Sequence, residues 1–264
     1  MSDLEYTPQE IMTIAAARRL KNRTVCFVGI GLPSAAANLA RLTHAPDVVL
    51  IYESGTIGAK PDVLPLSIGD GELAETADTV VSVPEIFRYW LQGGRVDVGF
   101  LGAAQIDKFG RINTTTIGGT YESPRVRLPG AGGAPEIATA AKEVTIILKH
   151  SKRAFVEQLD FVTSSGFQDH QAGSNGSPLA QGRGPTTVIT DLAILNSTRE
   201  SRELTLTALH PGVKVEQVLE ATGWKLKVAP DLAETPKPTC AELNALRDLH
   251  ARTASAHGAV ASSE

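Results

Sequence analysis

Most of the features that would tie a chain to a particular chemistry are scarce here. Only two cysteines occur in 264 residues, Cys26 inside an apolar run and Cys240 in a polar one. That is too few for a disulfide framework or a zinc site, and both are read as reduced structural thiols. The six histidines are scattered, with no HExxH and no close His/Asp cluster, so no metal is implied. No apolar run approaches the roughly 18 residues that would cross a bilayer. The opening MSDLEYTPQE is acidic and polar, without the charged-then-apolar order of a leader, so the protein is expected in the cytoplasm and off the membrane. Basic residues are not in excess: 25 Lys and Arg stand against 29 Asp and Glu, a net charge of -4, with no block of like charge. Nucleic acid and anionic lipid are therefore not expected partners. The remainder, 42% hydrophobic and 20% charged, suffices to bury a sizeable core.

Along the chain, helical and strand patterns alternate. TPQEIMTIAAARRLK pairs Thr7 as N-cap with Glu10 three residues on and Pro8 at the first helical position, which predicts a helix. TVCFVGI then reads as a strand running into Gly29 and Gly31, followed by the helix PSAAANLARL. The alternation continues through DVVLIYE, DTVVSV with PEIFRYWLQ, RVDVGFLG, and PEIATAAK with EVTIILK. Continuous apolar strands separated by helices predict an α/β fold, a mostly parallel sheet with helices on both faces. TTVIT, DLAIL and ELTLTAL follow more closely and suggest a β-rich layer, before the helix GVKVEQVLEATG. Residues 164–185, rich in Gly, Ser and Pro, read as a long loop. One domain is expected over residues 1–250, with 251–264 as a frayed tail.

Four stretches hold candidate chemistry. GIGLPS, Gly29 to Ser34, is a strand-to-helix turn whose free N–H groups either meet an anion or simply close a tight turn. It lacks the third glycine of GxGxxG, although Glu53 stands about where a ribose-binding acid would follow. In VVLIYESGTIGAKP a strand ends on Glu53 and passes into glycines. A carboxylate there lies on the ligand-binding edge of an α/β sheet, or else pairs with a neighbour such as Lys60. LPGAGGAPE, with Gly130, Gly132 and Gly133 ahead of a helix, brings backbone N–H groups close to a ligand or serves as a hinge. GAAQIDKFGRIN places a DKFG turn before Asn113, which holds a ligand carbonyl or bonds its own backbone.

GIGLPSAAANLA, IYESGTIGAKP, LGAAQIDKFGRIN and LPGAGGAPEIA, in this order and at these spacings, resemble the β subunit of a class I coenzyme A transferase over roughly residues 8 to 255. Within that family the likeness is greatest to subunits acting on 3-oxoadipate, in the branch that includes the glutaconate transferases. The resemblance implies a CoA-transferase-like α/β fold and CoA transfer from succinyl-CoA to 3-oxoadipate. It implies Glu53 as the nucleophile, passing through an anhydride and a glutamyl-CoA thioester. The family motif departs here, with Tyr52 before the Glu and Ser54 after it, so the group that orients Glu53 is left open. Gly29, Gly31, Leu32, Gly130, Gly132 and Gly133 become candidate oxyanion or CoA-binding positions, with Asn113 a weaker one. Arg125 and Arg127 are candidate partners for the second carboxylate of a dicarboxylic acid. No tightly bound cofactor is expected, the CoA thioester being a substrate. A partner α subunit is expected in a heterotetramer of two copies each, with this chain inactive alone. Other readings are transfer to glutaconate or another acid, thioester hydrolysis on the same fold, and a non-catalytic α/β module sensing a nucleotide or sugar phosphate.

Overall fold

The computed structural model describes residues 5–166, 184–197 and 203–261. Most of the loop expected at 164–185 lies outside them. Helix α1, Pro8–Ala17, opens as predicted: Thr7 N–H donates to Glu10 Oε2 at 2.7 Å and Glu10 N–H donates to Thr7 Oγ1 at 3.2 Å, closing a capping box. Strand β1, Val25–Val28, turns through Gly29 to Gly31 into α2, Leu32–Leu42. Strand β2, Val49–Ile51, is followed directly by β3, Thr56–Ile57. After α3, Gly71–Glu75, come β4, Thr79–Val80, and the short α4, Val83–Glu85, which runs on as a π-helical turn over Ile86–Leu91.

Strand β5, Val98–Leu101, leads into two small hairpins, β6 with β7 (Gln105–Ile106, Ile112–Asn113) and β8 with β9 (Thr116–Gly119, Pro124–Arg127). Helix α5, Ala134–Ala140, and strand β10, Glu143–Ile147, complete this half. The second half holds β11, Pro185–Ile189, β12, Ala193–Ser197, β13, Leu204–Leu209, α6, Val215–Glu220, β14, Lys227–Glu234, and α7, Cys240–Ala261.

A ten-stranded sheet orders these as β14-β13-β12-β11-β10-β5-β1-β2-β3-β4. Its centre, β11-β10-β5-β1-β2, is parallel, whereas β2-β3-β4 and β11-β12-β13 are antiparallel. The fold is thus α/β and mostly parallel at its core. The close-spaced strands after residue 185 extend this same sheet and do not form a layer of their own. Side chains alternate across it as the pleat requires. Cys26, Val28, Leu50 and Tyr52 enter one apolar cluster, under α1, α2 and α7. Phe27 and Ile51 enter the other, under α5, α6 and the π turn.

The frayed tail expected after residue 250 is not what the structure has over 251–261, where α7 continues. Leu243, Leu246 and Leu249 recur on one face and are fully buried, which ties the helix to α1 and α2. Ion pairs from Arg18 to Glu242 at 2.7 Å and from Arg247 to Glu10 at 2.6 Å fix it to both ends of α1. Leu64 N–H donates to Thr253 Oγ1 at 2.9 Å, holding the later turns. No described helix is long and apolar enough to cross a membrane.

Two buried histidines brace the far side of the sheet. His150 lies between Thr190 Oγ1 at 3.2 Å and Thr222 Oγ1 at 2.9 Å, stacked on Phe155 at 3.8 Å. His210 contacts Thr235 Oγ1 at 2.7 Å and the Thr190 carbonyl at 2.8 Å. Burial lowers the pKa of His150 to about 4 and that of His210 below its usual value. The unfolded chain therefore binds protons that the folded chain refuses. Stability is full above the unfolded histidine value near 6.5 and is lost as pH falls through that value toward about 4, by about 1.4 kcal/mol per pH unit for one histidine. Melting temperatures across this window should fall, and fall less steeply in His150→Gln.

Candidate active site

The C-terminal ends of β2, β1 and β5 form one edge of the sheet, the edge where parallel α/β folds bind ligands. At the end of β2 the chain reverses directly into β3. Gly55 N–H donates to the Tyr52 carbonyl at 3.0 Å and Tyr52 N–H donates to the Thr56 carbonyl at 3.1 Å, making a tight turn into β3. Gly55 is required there: its φ is +103°, and a Cβ would stand 2.0 Å from the Val81 carbonyl oxygen. Glu53 occupies the corner of this turn, half-buried.

Alternation sends the flanking Tyr52 to the opposite face, where it is fully buried under α2. Its Oη lies 3.2 Å from Ser34 Oγ and accepts from Asn38 Nδ2 at 3.2 Å, and burial pushes its phenol pKa up. Tyr52 thus joins the Glu53 turn to the helix that begins at GIGLPS, and Ser34 serves that joint. Ser54 Oγ is buried without a partner among the described residues. Neither flanking side chain holds Glu53.

The group that holds it is main chain from a distant loop: Gly133 N–H donates to Glu53 Oε2 at 3.1 Å. The glycines of this loop leave room for the carboxylate. A Cβ on Gly132 would lie 3.4 Å from Glu53 Oε2, and one on Gly133 would lie 3.2 Å from it and 2.8 Å from Phe87 Cζ. Phe87, on the π-helical turn, packs in turn on Phe27 of β1, their ring centroids 5.8 Å apart. The sequence reading missed Phe87. Its motif PEIFRYWLQ scans as an ordinary helix, and nothing in it marks the wider π turn that carries the ring to Gly133.

Gly29 and Gly31 lie at the end of β1, the strand beside β2. Gly29 N–H is already taken, donating to the Phe100 carbonyl at 3.1 Å. Gly31, at φ +82°, is the N-cap of α2, and Leu32 is its first residue, so their N–H groups are among those a helix start leaves without an intrahelical acceptor. Gly130, at φ +109°, is pinned across the third motif by its N–H to the Thr114 carbonyl at 2.9 Å and by Thr114 Oγ1, which donates to its carbonyl at 2.8 Å.

Three candidates are placed otherwise than the sequence suggests. Asn113 is fully buried and fully engaged. Its Nδ2 donates to Gln105 Oε1 at 2.8 Å and to the Thr116 carbonyl at 2.6 Å, while Oδ1 accepts from Thr115 and Thr116 N–H. Every polar capacity is used, so it shapes the β7–β8 corner and has nothing left for a ligand. Arg125 and Arg127 alternate with Val126 and Leu128 along β9, and the latter pair line the adjoining cleft, so the arginines face away from it. Arg127 donates to the Tyr121 carbonyl at 2.5 Å, its guanidinium 4.9 Å from the Tyr121 ring.

That cleft opens beside the glycine loop. One part, about 310 Å³, is lined by Ala103, Ala104, Leu128, Gly130, Ala131 and Ala134. A second, about 370 Å³, shares Ala103, Ala104 and Leu128 and reaches Lys149 and Arg153.

Sequence comparison agrees with this arrangement. The family described as Coenzyme A transferase matches residues 9–221. The chain is 66% identical over 254 residues to one subunit of the 3-oxoadipate CoA-transferase of Pseudomonas knackmussii, covering 96% of each. It is 36% identical to one subunit of the glutaconate CoA-transferase of Acidaminococcus fermentans, covering 90% of this chain and 91% of that one. The crystal structure of the Acidaminococcus fermentans glutaconate coenzyme A-transferase superposes with a TM-score of 0.82 at 33% identity, over 92% of this chain and 94% of that one. With the family matched along most of its length and the sheet edge, turn and glycine loop in place, the chain belongs to the coenzyme A transferase family.

Proposed function

We propose that the protein is the β subunit of an enzyme that moves CoA from succinyl-CoA to 3-oxoadipate, with Glu53 as the covalent carrier. The carrying observation is the Glu53 carboxylate at the tip of a sheet strand, aimed by the Gly133 N–H at 3.1 Å and faced by two residues without side chains. The acids are proposed from the 66% identity to the Pseudomonas knackmussii subunit.

Glu53 attacks the thioester carbonyl of succinyl-CoA. The tetrahedral oxyanion collapses with loss of CoA thiolate, leaving a succinyl-glutamyl anhydride. The thiolate attacks the Glu53 carbonyl of the anhydride and expels succinate, leaving a glutamyl-CoA thioester. The 3-oxoadipate carboxylate repeats the sequence in reverse, ending with free Glu53 and 3-oxoadipyl-CoA. Each attacking group is already an anion, so no step needs a proton moved. The site's task is to donate hydrogen bonds to the oxyanion and keep water from the anhydride. One well-placed donor is worth about 3 kcal/mol in such a step. The N–H groups of Gly133, Gly132, Gly31 and Leu32 are the proposed donors.

The relatives at 66% and 36% identity are each named as one subunit of a transferase, which supports a partner α subunit, proposed here in a two-plus-two assembly in the cytoplasm. The test is to mix the two subunits with succinyl-CoA and offer 3-oxoadipate or glutaconate. The reading expects 3-oxoadipyl-CoA and succinate in equal amounts, with 3-oxoadipate the preferred acceptor by kcat/KM. Preferred use of glutaconate would overturn the assigned acid, and succinate released without a new thioester would overturn transfer.

A further inference from the structure

The proposed chemistry needs water kept from the acyl group on Glu53, and N–H groups and glycines orient a carboxylate without covering it. One side chain beside it can cover it. A Cβ on Gly133 would lie 3.2 Å from Glu53 Oε2 and 2.8 Å from Phe87 Cζ, so the ring tip and the carboxylate oxygen are at most about 6 Å apart. A water lodged in line between them needs a little more, about 2.8 Å to the oxygen and about 3.3–3.6 Å to the carbon.

The segment that carries Phe87 is tied to both sides of the site. At its start Val81 N–H donates to the Gly55 carbonyl at 2.9 Å, within the turn that holds Glu53. At its end Gln92 Nε2 donates to Glu136 Oε2 at 3.3 Å, on the helix that follows Gly133. Between them the chain widens into the π turn, closed by Gln92 N–H on the Phe87 carbonyl at 2.8 Å, a rare form that recurs at functional sites. This turn buries Ile86, exposes Arg88 and Tyr89, and leaves Phe87 half-buried over the fully buried Phe27. The ring thus lies at the surface of the core, where the core meets Glu53. Its atoms nearest Gly133 are Cζ and Cε1, so it turns its partly positive edge to the loop and spares an anionic nucleophile the negative face.

From this we infer that Phe87 is the wall that keeps water from the acyl groups carried by Glu53, and so commits the enzyme to transfer in place of hydrolysis. The inference rests on the reading of Glu53 as the carrier. The reaction that the wall suppresses is a defined one. A water oxygen attacks the glutamyl carbonyl of the thioester, the C–S bond breaks, CoA leaves as thiolate, and the two water protons pass to solvent. Glu53 is restored and a thioester is lost with no acid gaining it. Solvent water far outnumbers any acid, so the preference for the acid has to come from exclusion at the site.

The test uses the two-subunit enzyme with Phe87→Ala and, separately, Phe87→Leu. Each is loaded with succinyl-CoA, freed of succinate by gel filtration, and followed by intact mass as the CoA adduct on this chain decays to free Glu53. The lifetime of the adduct should shorten about tenfold or more in Phe87→Ala, and by a smaller factor in Phe87→Leu, which keeps apolar bulk. In heavy-oxygen water the decay should leave one labelled oxygen in Glu53, raising the mass of its peptide by about 2 Da, as water attack at that carbonyl requires. A merely structural loss would slow turnover and lower the melting temperature without shortening the life of the adduct, and melting both variants beside the parent separates the two. Phe87→Leu carries the comparison if the alanine variant does not assemble. An adduct as long-lived in the variants as in the parent would overturn the inference alone. So would a shortened life in which Glu53 gains no label. A parent enzyme that never forms the adduct would overturn the proposed function, and this inference with it.

Discussion

Glu53→Gln should lower kcat of the assembled enzyme by about 10⁴-fold or more, the scale on which removing a covalent nucleophile registers. The side chain keeps its length and its contact with the Gly133 N–H, so the fold and CoA affinity should be unchanged, which calorimetry with CoA would check. Glu53→Asp separates chemistry from placement. It retains the carboxylate but withdraws it by one methylene from Gly133, and a displacement of about 1 Å at a reacting group costs on the order of 10²-fold. If Glu53→Gln kept more than a tenth of parent activity, Glu53 would not be the carrier.

Gly133→Ala should have the second largest effect. The added methyl would lie 2.8 Å from Phe87 Cζ and 3.2 Å from Glu53 Oε2, and the first distance is shorter than a real contact. Phe87 cannot simply yield, because it is packed on Phe27. The loop must therefore move, taking with it the N–H that aims Glu53. We expect kcat to fall about 10²-fold or more, the cost of losing an aligned donor, with a stability loss of about 1–3 kcal/mol from overpacking. Gly132→Ala meets only ordinary contact at 3.4 Å, although its φ of +49° strains an alanine by about 1–2 kcal/mol. Its kcat should fall less than that of Gly133→Ala, and kinetics beside thermal melting of both variants measures the difference.

Much of this fold can be read from the chain because its central strands are buried on both faces and appear as continuous apolar runs. The capping box at Thr7 and Glu10 is equally direct, since both partners lie in one turn of helix. Where the reading failed, the deciding contacts were long-range. β14, KVAPDLAE, is an edge strand with Pro230 and Asp231 in its middle and most residues exposed, so its composition argues against a strand that only its neighbour β13 stabilises. The last turns of α7 are polar and alanine-rich, and the contact that holds them at Thr253 comes from the distant Leu64 N–H. Glu53 could be suspected from its position, but not what holds it, because Gly133 is 80 residues away in sequence. Arg125 and Arg127 attracted attention as a charged pair close to a glycine loop. The register of β9 turns them outward, and the cations that line the cleft come from the end of β10.

The most direct test of the account is the covalent state of Glu53. The two subunits are incubated with succinyl-CoA, treated with borohydride, and analysed by intact mass and peptide mapping. The account predicts that the Glu53 carboxyl is reduced to an alcohol, lowering the mass of the peptide that carries it by about 14 Da, the replacement of one oxygen by two hydrogens that reduction of an acyl-CoA thioester requires. An unmodified Glu53 in an enzyme that has consumed succinyl-CoA would contradict it.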